Sequence, residues 1–517
     1  MKKKSLICLI VSALLISCQN VNTSSSEFES SSDSSIIDSS SIYDSSLESS
    51  ESNNESSNEE SSSSEEISSI EESSSIEESS TLEELTPKRE RTDKNINNFL
   101  GSDNDLYRIN ITTENEEFLK NNIDEYTKGS LSITEQDETK VILDSKAMGI
   151  KLRGNSTRSA LKKPFKIKFD KKQSLFGLKA AKKWVLLANY YDKSNIRNYL
   201  AYLTANKLTY LGFQPSSIFV DVYLNNNYYG LFLLCEQMEE NKGRVDVEDK
   251  VSANGLSSFF LEVDERIKDE YKDGEGKAYF YFPIEGKSPY YFSFKYPSYD
   301  DYLEYIEKND EESISKYDNN ISWLYEFLSN ALYSPNYTDY LDISSFIDYY
   351  LVEEFFKNVD VGSTSQFYYI DSSQENIKLT AGPVWDFDIA SGAIDDHTGV
   401  YNMYYNSELF VRARDPLYAK LFLNDDFSKL VKKRYQEVRD EVFLSVFDEI
   451  DIAKEKLAKA QERNVSKWPL STERNTWIEI YALGNDYLEL TSINEHYDYL
   501  TSFLKRRLKA MDFHYGR

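Results

Sequence analysis

A serine- and glutamate-rich segment, from residue 22 to about residue 86, limits the part of this chain that can fold. It contains 18 acidic residues, no lysine or arginine, and few apolar side chains. Such a segment cannot bury enough apolar surface to offset the entropy lost on folding, and its like charges repel each other. We therefore expect residues 18–86 to be a disordered linker, with a folded body after it.

The linker also accounts for much of the charge of the chain, whose formal net charge is −29. Setting aside its 18 acids and the three lysines at positions 2–4 leaves 56 basic and 70 acidic residues, a net charge of −14. A nucleic-acid-binding domain usually presents a basic surface. We therefore expect no nucleic-acid partner.

The amino terminus has the parts of a secretion signal. Three lysines precede an apolar run from Leu6 to Ile16, which leads to Ser17 and Cys18. The run is too short to span a bilayer as a stable helix. A cysteine at the cut is typical of a bacterial lipoprotein, so we expect residues 1–17 to be a signal peptide and Cys18 to carry a lipid anchor. The alternative is an ordinary signal peptide with an incidental cysteine.

This prediction places the folded body on the extracellular side of the cell membrane. After Cys8 and Cys18, the remaining cysteine is Cys235, which lies in an apolar run and is expected to be a buried free thiol. The three histidines are far apart in sequence, with no nucleophile-elbow pattern near any of them. A zinc site and a Ser-His-Asp site are poorly supplied, so any catalysis must depend on carboxylates, lysines and arginines.

From about residue 100 onward the composition is globular. The pattern predicts a helix capped by Ser194 and a hairpin that turns at the asparagines 225–227. After about residue 340 the chain is predicted to be largely helical, so the expected fold is α+β, with a β-rich amino-terminal lobe and a helical carboxy-terminal lobe. The predicted strands are Leu106–Ile111, Val141–Leu143, Met148–Arg153, Phe165–Phe169, Trp184–Leu187, Phe219–Leu224, Tyr229–Cys235, Gln366–Ile370 and Ile377–Leu379.

Two carboxylates lie one residue apart in the segment Gly382–Asp388. In an extended segment, residues i and i+2 project from the same face, so Asp386 and Asp388 can converge on one point. Carboxylates of this kind suit Mg²⁺, which usually takes one or two of them together with substrate phosphates. The alternative is an acidic surface turn. Trp385 and Phe387 would anchor the segment in a core, which favours a cleft.

Several sequence blocks occur in an order that resembles the CotH family, the spore-coat-protein-H-like atypical kinases. The resemblance covers roughly residues 105–430, and we expect residues 100–430 to form the kinase-like domain and residues 431–517 a helical extension of it. The blocks are Ile150–Arg158, Lys162–Asp170, Trp184–Ser194, Ile196–Asn198, Tyr229–Gln237, Asn358–Asp360 and Pro383–Asp388.

This resemblance implies a divergent, two-lobed protein-kinase-like fold and ATP-dependent phosphorylation of protein serine or threonine with Mg²⁺ or Mn²⁺. Asp360 matches the candidate catalytic acid of the family, and Asp386 and Asp388 match its metal-binding motif. Phosphoryl transfer needs a metal on the phosphates, a nearby cation, and a carboxylate that orients the attacking hydroxyl. We expect Asp386 to be the principal metal ligand and Asp388 a second ligand or a structural support.

Four basic residues are candidates for the cation near the phosphates. Arg153 and Arg158 bracket the loop 154–156, whose backbone N–H groups and hydroxyls could contact phosphates. Lys166 and Lys168 lie on the polar face of a predicted strand. For each of them the alternative is an ordinary solvated strand face. Glu236, after a buried strand, is placed either to meet the adenine or to anchor the chain between lobes.

The chain also departs from the ordinary kinase pattern, because it has neither a Gly-x-Gly-x-x-Gly loop nor a His-Arg-Asp triplet. Ser365 stands where a kinase has the asparagine for its second metal, and Gln366, next to it, is the candidate replacement. Asp192 and Arg197 flank a helix start and are interpreted as structural.

Two functions from different classes therefore remain after the sequence analysis. The first is a surface-anchored kinase, which we expect to act as a monomer on a protein substrate. The alternative is a non-catalytic, kinase-like surface lipoprotein for adhesion or ligand binding, because little ATP is present outside the cell.

Overall fold

The computed structural model describes residue 85 and residues 87–89, 105–122, 125–247, 250–287, 289–394 and 409–516. Residues 81–517 form one compact unit. The expected signal peptide, the expected lipid anchor at Cys18 and the expected acidic linker up to residue 84 all lie outside the described residues. Within the described part, no helix is both long enough and apolar enough to cross a membrane.

Seven amino-terminal strands close into a barrel. They are β1 (Tyr107–Thr113), β2 (Thr127–Thr134), β3 (Val141–Leu152), β4 (Phe165–Gln173), β5 (Ala181–Leu187), β6 (Ser217–Leu224) and β7 (Asn227–Glu236). Their order around the barrel is β1-β2-β3-β4-β5-β7-β6. Neighbouring strands are antiparallel, except that β1 closes the barrel by pairing parallel with β6.

Alternating side chains explain how the barrel is filled. Along β4, Phe165, Ile167 and Phe169 are buried, whereas Lys166 is half-buried and Lys168 is exposed, as the sequence pattern predicts. The inward residues belong to one apolar cluster that fills the barrel. Strands β6 and β7 are buried on both faces, because one face lines the barrel and the other packs against the main core.

The hairpin between β6 and β7 is confirmed. Asn225 and Asn226 both have positive φ, 48° and 65°, as a type I′ turn requires of its two central residues. Asparagine tolerates this backbone region better than most residues. The asparagine run therefore sets the register of the hairpin. Cys235, which lies on the second strand of this hairpin, is a buried free cysteine as expected.

A second sheet of five strands lies in the carboxy-terminal part. Its strands are β8 (Phe259–Val263), β9 (Tyr279–Phe282), β10 (Tyr290–Tyr296), β11 (Gln366–Ile370) and β12 (Leu379–Ala381), in the order β12-β11-β8-β10-β9. Gln366 pairs with Val263 of β8, and Tyr368 pairs with Ala381 of β12. The end of β8, the start of β11 and the end of β12 therefore meet at one end of the sheet.

Fourteen α-helices occur among the described residues. They are α1 (Glu116–Asn121), α2 (Arg197–Lys207), α3 (Ile267–Glu270), α4 (Tyr299–Lys308), α5 (Glu311–Tyr333), α6 (Ile343–Phe356), α7 (Val411–Arg414), α8 (Pro416–Leu421), α9 (Asp425–Val438), α10 (Ser445–Lys456), α11 (Ala458–Lys467), α12 (Trp477–Tyr481), α13 (Asn485–Leu488) and α14 (Ile493–Tyr515). Almost every residue of α2 and α6 is buried, so these two helices form the centre of the main core.

The mixed α+β fold, with a β-rich amino-terminal part and a helical carboxy-terminal part, is confirmed. The expected two-lobed, kinase-like arrangement needs correction, because the amino-terminal strands close into a barrel. One long strand, β3, replaces the two that were predicted, and β2, β8, β9 and β10 were not predicted. The predicted cap at Ser194 was also wrong. Helix α2 begins at Arg197, and the Ser194 hydroxyl donates instead to Asp192 Oδ1 at 2.5 Å.

Candidate functional site

The segments that carry the candidate acids meet at one end of the five-stranded sheet. Asp360 lies in the turn before β11, and Asp386 and Asp388 lie in the segment after β12. Arg266 follows β8 at the same end. Neighbouring antiparallel strands bring these segments together although they are far apart in sequence, so the sheet register creates the site.

The metal-motif segment is anchored as expected but is not extended. Trp385 and Phe387 are buried. Asp386 has φ +66°, in the left-handed region, which is uncommon for a residue other than glycine. The expected extended geometry is therefore wrong. Asp386 and Asp388 nevertheless line the same cleft.

Helix α2 holds this segment through its first turn. The backbone N–H of Phe387 donates to Asn198 Oδ1 at 2.7 Å, and Arg197 Nε donates to the Ala390 carbonyl at 2.9 Å. Arg197 also forms an ion pair of 2.6 Å with Asp192, and neither side chain is exposed. This pair is structural, as the sequence indicated, because it fixes the start of α2 against the motif.

Aromatic contacts fix the indole between the two parts of the fold. The Trp385 ring stacks on Tyr202 of α2, with 5.5 Å between ring centroids. The guanidinium carbon of Arg153 lies 5.5 Å from the centroid of the Trp385 ring, within the range of a cation–π contact. Arg153 lines the same cleft as Asp386 and Asp388. Its contact with Trp385 therefore holds a cation beside the two carboxylates.

Asp360 lies in a tight turn that follows α6. Lys357 ends the helix with φ +49°, and the Asp360 carbonyl accepts from the N–H groups of Ser363 and Thr364, both at 3.0 Å. Burial raises the pKa of Asp360 to about 7, and the Asp386 carboxylate adds to the rise. Arg266 acts in the opposite direction. A carboxyl group with this pKa suits a general base near neutral pH.

Asp388 experiences the same crowding of negative charge. Its pKa is raised by burial first and then by the carboxylates of Asp386, Asp192 and Asp360, against which Arg153 acts. Mutually repelling carboxylates at a cleft are the donor set that a divalent cation stabilises. Among the described residues, no group of three or more His, Cys, Asp or Glu is arranged to hold a metal alone. A metal held partly by phosphate oxygens fits this arrangement.

Arg266 connects the turn of Asp360 with the loop 154–156 of the barrel, which begins at Gly154 and is called the glycine loop. Its Nε donates to Asp264 Oδ1 at 2.7 Å, and its Nη2 donates to the Thr364 hydroxyl. With its amide oxygen turned inward, Asn155 accepts from Arg266 Nη1 at 2.9 Å. The sequence analysis did not identify Arg266. Its position directly after a buried strand and close to Asp264 was the available signal.

The structure separates the candidate cations. Arg153 lines the cleft, and so does Lys162, which the sequence analysis did not single out. Lys166 and Lys168 lie on the outer face of the barrel and do not line this cleft; burial first, and then the Lys183 and Lys151 charges, lower the pKa of Lys166 to about 8. Arg158 is exposed in a short 3₁₀ turn.

Gln366 and Glu236 make contacts within the scaffold. Gln366 Oε1 accepts from the Gly362 N–H at 2.6 Å, and its Nε2 donates to Asp415 Oδ2 at 2.9 Å. Both ends of the amide are thus bonded inside the protein. Glu236 is buried at the end of β7, where it accepts from the Ser216 N–H at 3.0 Å, and burial raises its pKa. These contacts correspond to the anchoring role of Glu236.

The comparisons with known proteins agree with the motif order. The sequence model of the CotH kinase protein family matches residues 150–511. This range includes the glycine loop, α2, all three acids and most of the helices after residue 430. No curated protein matches the chain. Because the match extends over more than half of its residues, the chain belongs to the CotH kinase protein family.

Proposed function

We propose that this chain is a metal- and ATP-dependent protein kinase that phosphorylates serine or threonine hydroxyls. The observation that supports the proposal most strongly is geometric. Asp386 and Asp388 line one cleft, and the strand register brings the turn of Asp360 to the same end of the sheet, where the Asp386 carboxylate raises the pKa of Asp360. The arrangement provides a carboxylate for the metal beside a carboxylate for the attacking hydroxyl.

The residues fit a nucleotide-bound Mg²⁺ or Mn²⁺. Asp386 would be the principal ligand and Asp388 the second, because both line the cleft. Gln366 is assigned a supporting role, since its amide holds Gly362 and Asp415. When bound, the metal and ATP supply charge neutralisation and the phosphoryl group. Arg153 and Lys162 are the cations available to phosphate oxygens at the same cleft.

The residues of the chain then have separate tasks. Asp360 accepts the proton of the substrate hydroxyl at its carboxylate. Arg266 partly opposes the rise in the pKa of Asp360, which favours the ionised carboxylate, and it connects this turn to Asn155 in the loop 154–156. The N–H bond from Phe387 to Asn198 keeps the metal-binding segment fixed, so that the ligands need little reorganisation.

The location is a further part of the proposal. A lipid on Cys18 would anchor the chain to the cell membrane, with the acidic linker separating the kinase from the surface. Mass spectrometry of membrane-extracted protein tests this directly. A lipid mass on the peptide beginning at Cys18 is expected, and a Cys18→Ser chain found in the medium is the matching result. An unmodified cysteine would contradict the anchor.

Transfer of labelled γ-phosphate from ATP tests the activity. We expect the purified chain to label itself or casein when Mg²⁺ or Mn²⁺ is present. Asp386→Asn should abolish the transfer, and Asp360→Asn should slow it by about 10²-fold or more. Asp498→Asn, which changes an exposed acid of α14, is the matched control and should transfer normally.

Two results would decide against catalysis. Equal labelling by the wild type and Asp386→Asn would show that the site is not responsible. Nucleotide binding without any transfer would favour the non-catalytic surface protein. Calorimetric titration with ATP and Mg²⁺ on the same samples separates these cases.

A further inference from the structure

A second cavity adjoins the cleft on another side of Lys162. It is small and lies between the loop 189–195 and the end of α11. Lys162, Asn189 and Tyr190 line both spaces. The kinase function proposed above uses Lys162 at the cleft and assigns nothing to Lys193, Asn195 or the other residues of this cavity.

Two lysines face the cavity. Lys162 is 1% exposed, and its Nζ donates to the Leu231 carbonyl at 3.0 Å and to Asn464 Oδ1 at 3.2 Å. An ammonium group has three donors, so one remains for another acceptor. The Nζ of Lys193 lies 3.8 Å from Glu479 Oε1 and 4.1 Å from the centroid of the Tyr190 ring.

The charges around these lysines leave room for an anion. Burial, and next the charge of Lys193, lower the pKa of Lys162 to about 7. Asp192 also lines the cavity, but it is already paired with Arg197. An anion between the lysines would relieve both the burial of charge and the mutual repulsion.

Asn195, which also lines the cavity, has a side-chain oxygen without a hydrogen-bond donor among the described residues. The residue is 3% exposed, and this oxygen, Oδ1, is buried. Its Nδ2 donates to the Lys193 carbonyl and to Gln461 Oε1, both at 3.2 Å, which fixes the orientation of the amide. A buried acceptor left unpaired costs about 1–3 kcal/mol, so a ligand that brings a hydrogen-bond donor is favoured.

The wall formed by α11 is rigid. Trp468 Nε1 donates to the Tyr229 carbonyl at 2.7 Å. A Cβ at Gly230, where φ is +147°, would lie 3.0 Å from Lys162 Cδ and 3.1 Å from Trp468 Nε1. Only glycine lets the lysine and the indole approach the strand this closely. The position of Lys162 is therefore set before any ligand arrives.

We propose that this cavity is a phosphate-binding subsite formed by Lys162, Lys193 and Asn195. A hydrogen phosphate group has acceptor oxygens for the two ammonium groups and a P–OH donor for Asn195 Oδ1. Sulfate and carboxylate ions have no such donor near neutral pH, so the site selects phosphate over them. Inorganic phosphate keeps this P–OH at neutral pH, whereas a phosphorylated serine has it only as the monoanion, below its second pKa of about 6. The subsite does not require phosphoryl transfer by the chain.

Calorimetric titration of the full chain with sodium phosphate, and in parallel with sodium sulfate at equal ionic strength, tests the proposal. Phosphate should bind at least about tenfold more tightly than sulfate. Lys193→Met should weaken phosphate binding by about tenfold or more, because it removes one ammonium group. Lys163→Met, which changes the neighbouring lysine outside the cavity, is the matched control and should bind like the wild type.

Asn195→Ala tests whether the P–OH donor of phosphate accounts for its preference over sulfate, because the variant removes the acceptor Oδ1. It should reduce the preference for phosphate over sulfate towards equality, while thermal unfolding confirms that the variant folds. A phosphoserine peptide and its unphosphorylated form, titrated separately, identify the source of the phosphate. Tighter binding of the phosphopeptide than of free phosphate assigns the subsite to phosphorylated protein, and the reverse order assigns it to the ion.

Three results would overturn the proposal. They are equal affinity for phosphate and sulfate, no phosphate binding at millimolar concentration, and equal weakening in Lys163→Met and Lys193→Met. Asp386→Asn keeps the subsite residues and should bind phosphate normally. Loss of transfer and loss of phosphate binding are therefore separate outcomes.

Discussion

The backbone N–H of Phe387 donates a 2.7 Å hydrogen bond to Oδ1 of Asn198. This buried contact joins the segment between two candidate metal ligands to the first turn of α2. Asn198 also donates to Asn189 Oδ1 at 3.1 Å and accepts from the Tyr202 hydroxyl at 3.2 Å. One amide therefore couples the central helix, the cleft wall and the metal-binding segment.

Removing that amide should affect stability and metal binding together. We expect Asn198→Ala to lower the free energy of unfolding by about 1–3 kcal/mol, because the Phe387 N–H is left buried without an acceptor. Metal-dependent nucleotide binding should weaken as well. Chemical denaturation and calorimetry measure the two effects. Asn206→Ala, on the same helix, loses side-chain bonds to the carbonyls of Tyr202 and Pro215 and should lose stability only. Weakened binding in both variants would contradict the assignment.

The repulsion among Asp360, Asp386 and Asp388 predicts that removing one charge raises the melting temperature and abolishes phosphoryl transfer. Asp386→Asn removes a negative charge that raises the pKa values of Asp360 and Asp388. Without metal, the variant should therefore melt at a higher temperature than the wild type, although it loses phosphoryl transfer. Added Mg²⁺ and ATP should raise the melting temperature of the wild type alone. A lower melting temperature for the metal-free variant would contradict the predicted repulsion.

The raised pKa of Asp360 predicts an activity that increases with pH. A general base works in its ionised form, so kcat/KM should rise with pH as Asp360 ionises. The pKa of about 7 belongs to the metal-free chain, and a cation bound at Asp386 should move the rise to lower pH. Arg266→Met removes a positive charge that lowers this pKa, and should move the rise to higher pH. Rate measurements from acid to mildly alkaline pH test this. A profile that stays in place would exclude Asp360 as the group observed.

The same group makes the metal-free protein less stable as the pH rises. Asp360 has a pKa of about 7 in the folded chain and an ordinary value of 3.8, so the folded state binds its proton more tightly. Its contribution to stability is present below the ordinary pKa and is lost as the pH rises through about 7. Comparing the denaturation of the wild type and Asp360→Asn across this range isolates the contribution.

The Asp192–Arg197 pair should be costly to break. Both side chains are fully buried, 2.6 Å apart, and Arg197→Met leaves an unpaired buried carboxylate. We expect a loss of about 3–5 kcal/mol in the free energy of unfolding. Combining it with Asp192→Asn should recover much of the stability. The double variant should still bind metal poorly, because Arg197 no longer holds the Ala390 carbonyl.

Local patterns predicted much of this chain, because they are written in neighbouring residues. The alternation along β4, the asparagine turn after β6 and the order of the family blocks required no knowledge of distant contacts. The candidate acids followed from the same blocks. Gln366 was named as a candidate metal ligand from its position in a motif. In the structure, its amide forms hydrogen bonds with Gly362 and Asp415.

The sequence by itself determined the α+β class of the fold and the family of the chain, and it supplied the candidate residues for a metal and for a base. Tertiary structure decided that the barrel closes through β1 and β6, that Arg266 stands beside Asp360, and that Lys162 rather than Lys166 lines the cleft. The reason is physical. Pairing between distant strands and the burial of a charged side chain depend on what the rest of the chain places around them, and no local pattern records those neighbours.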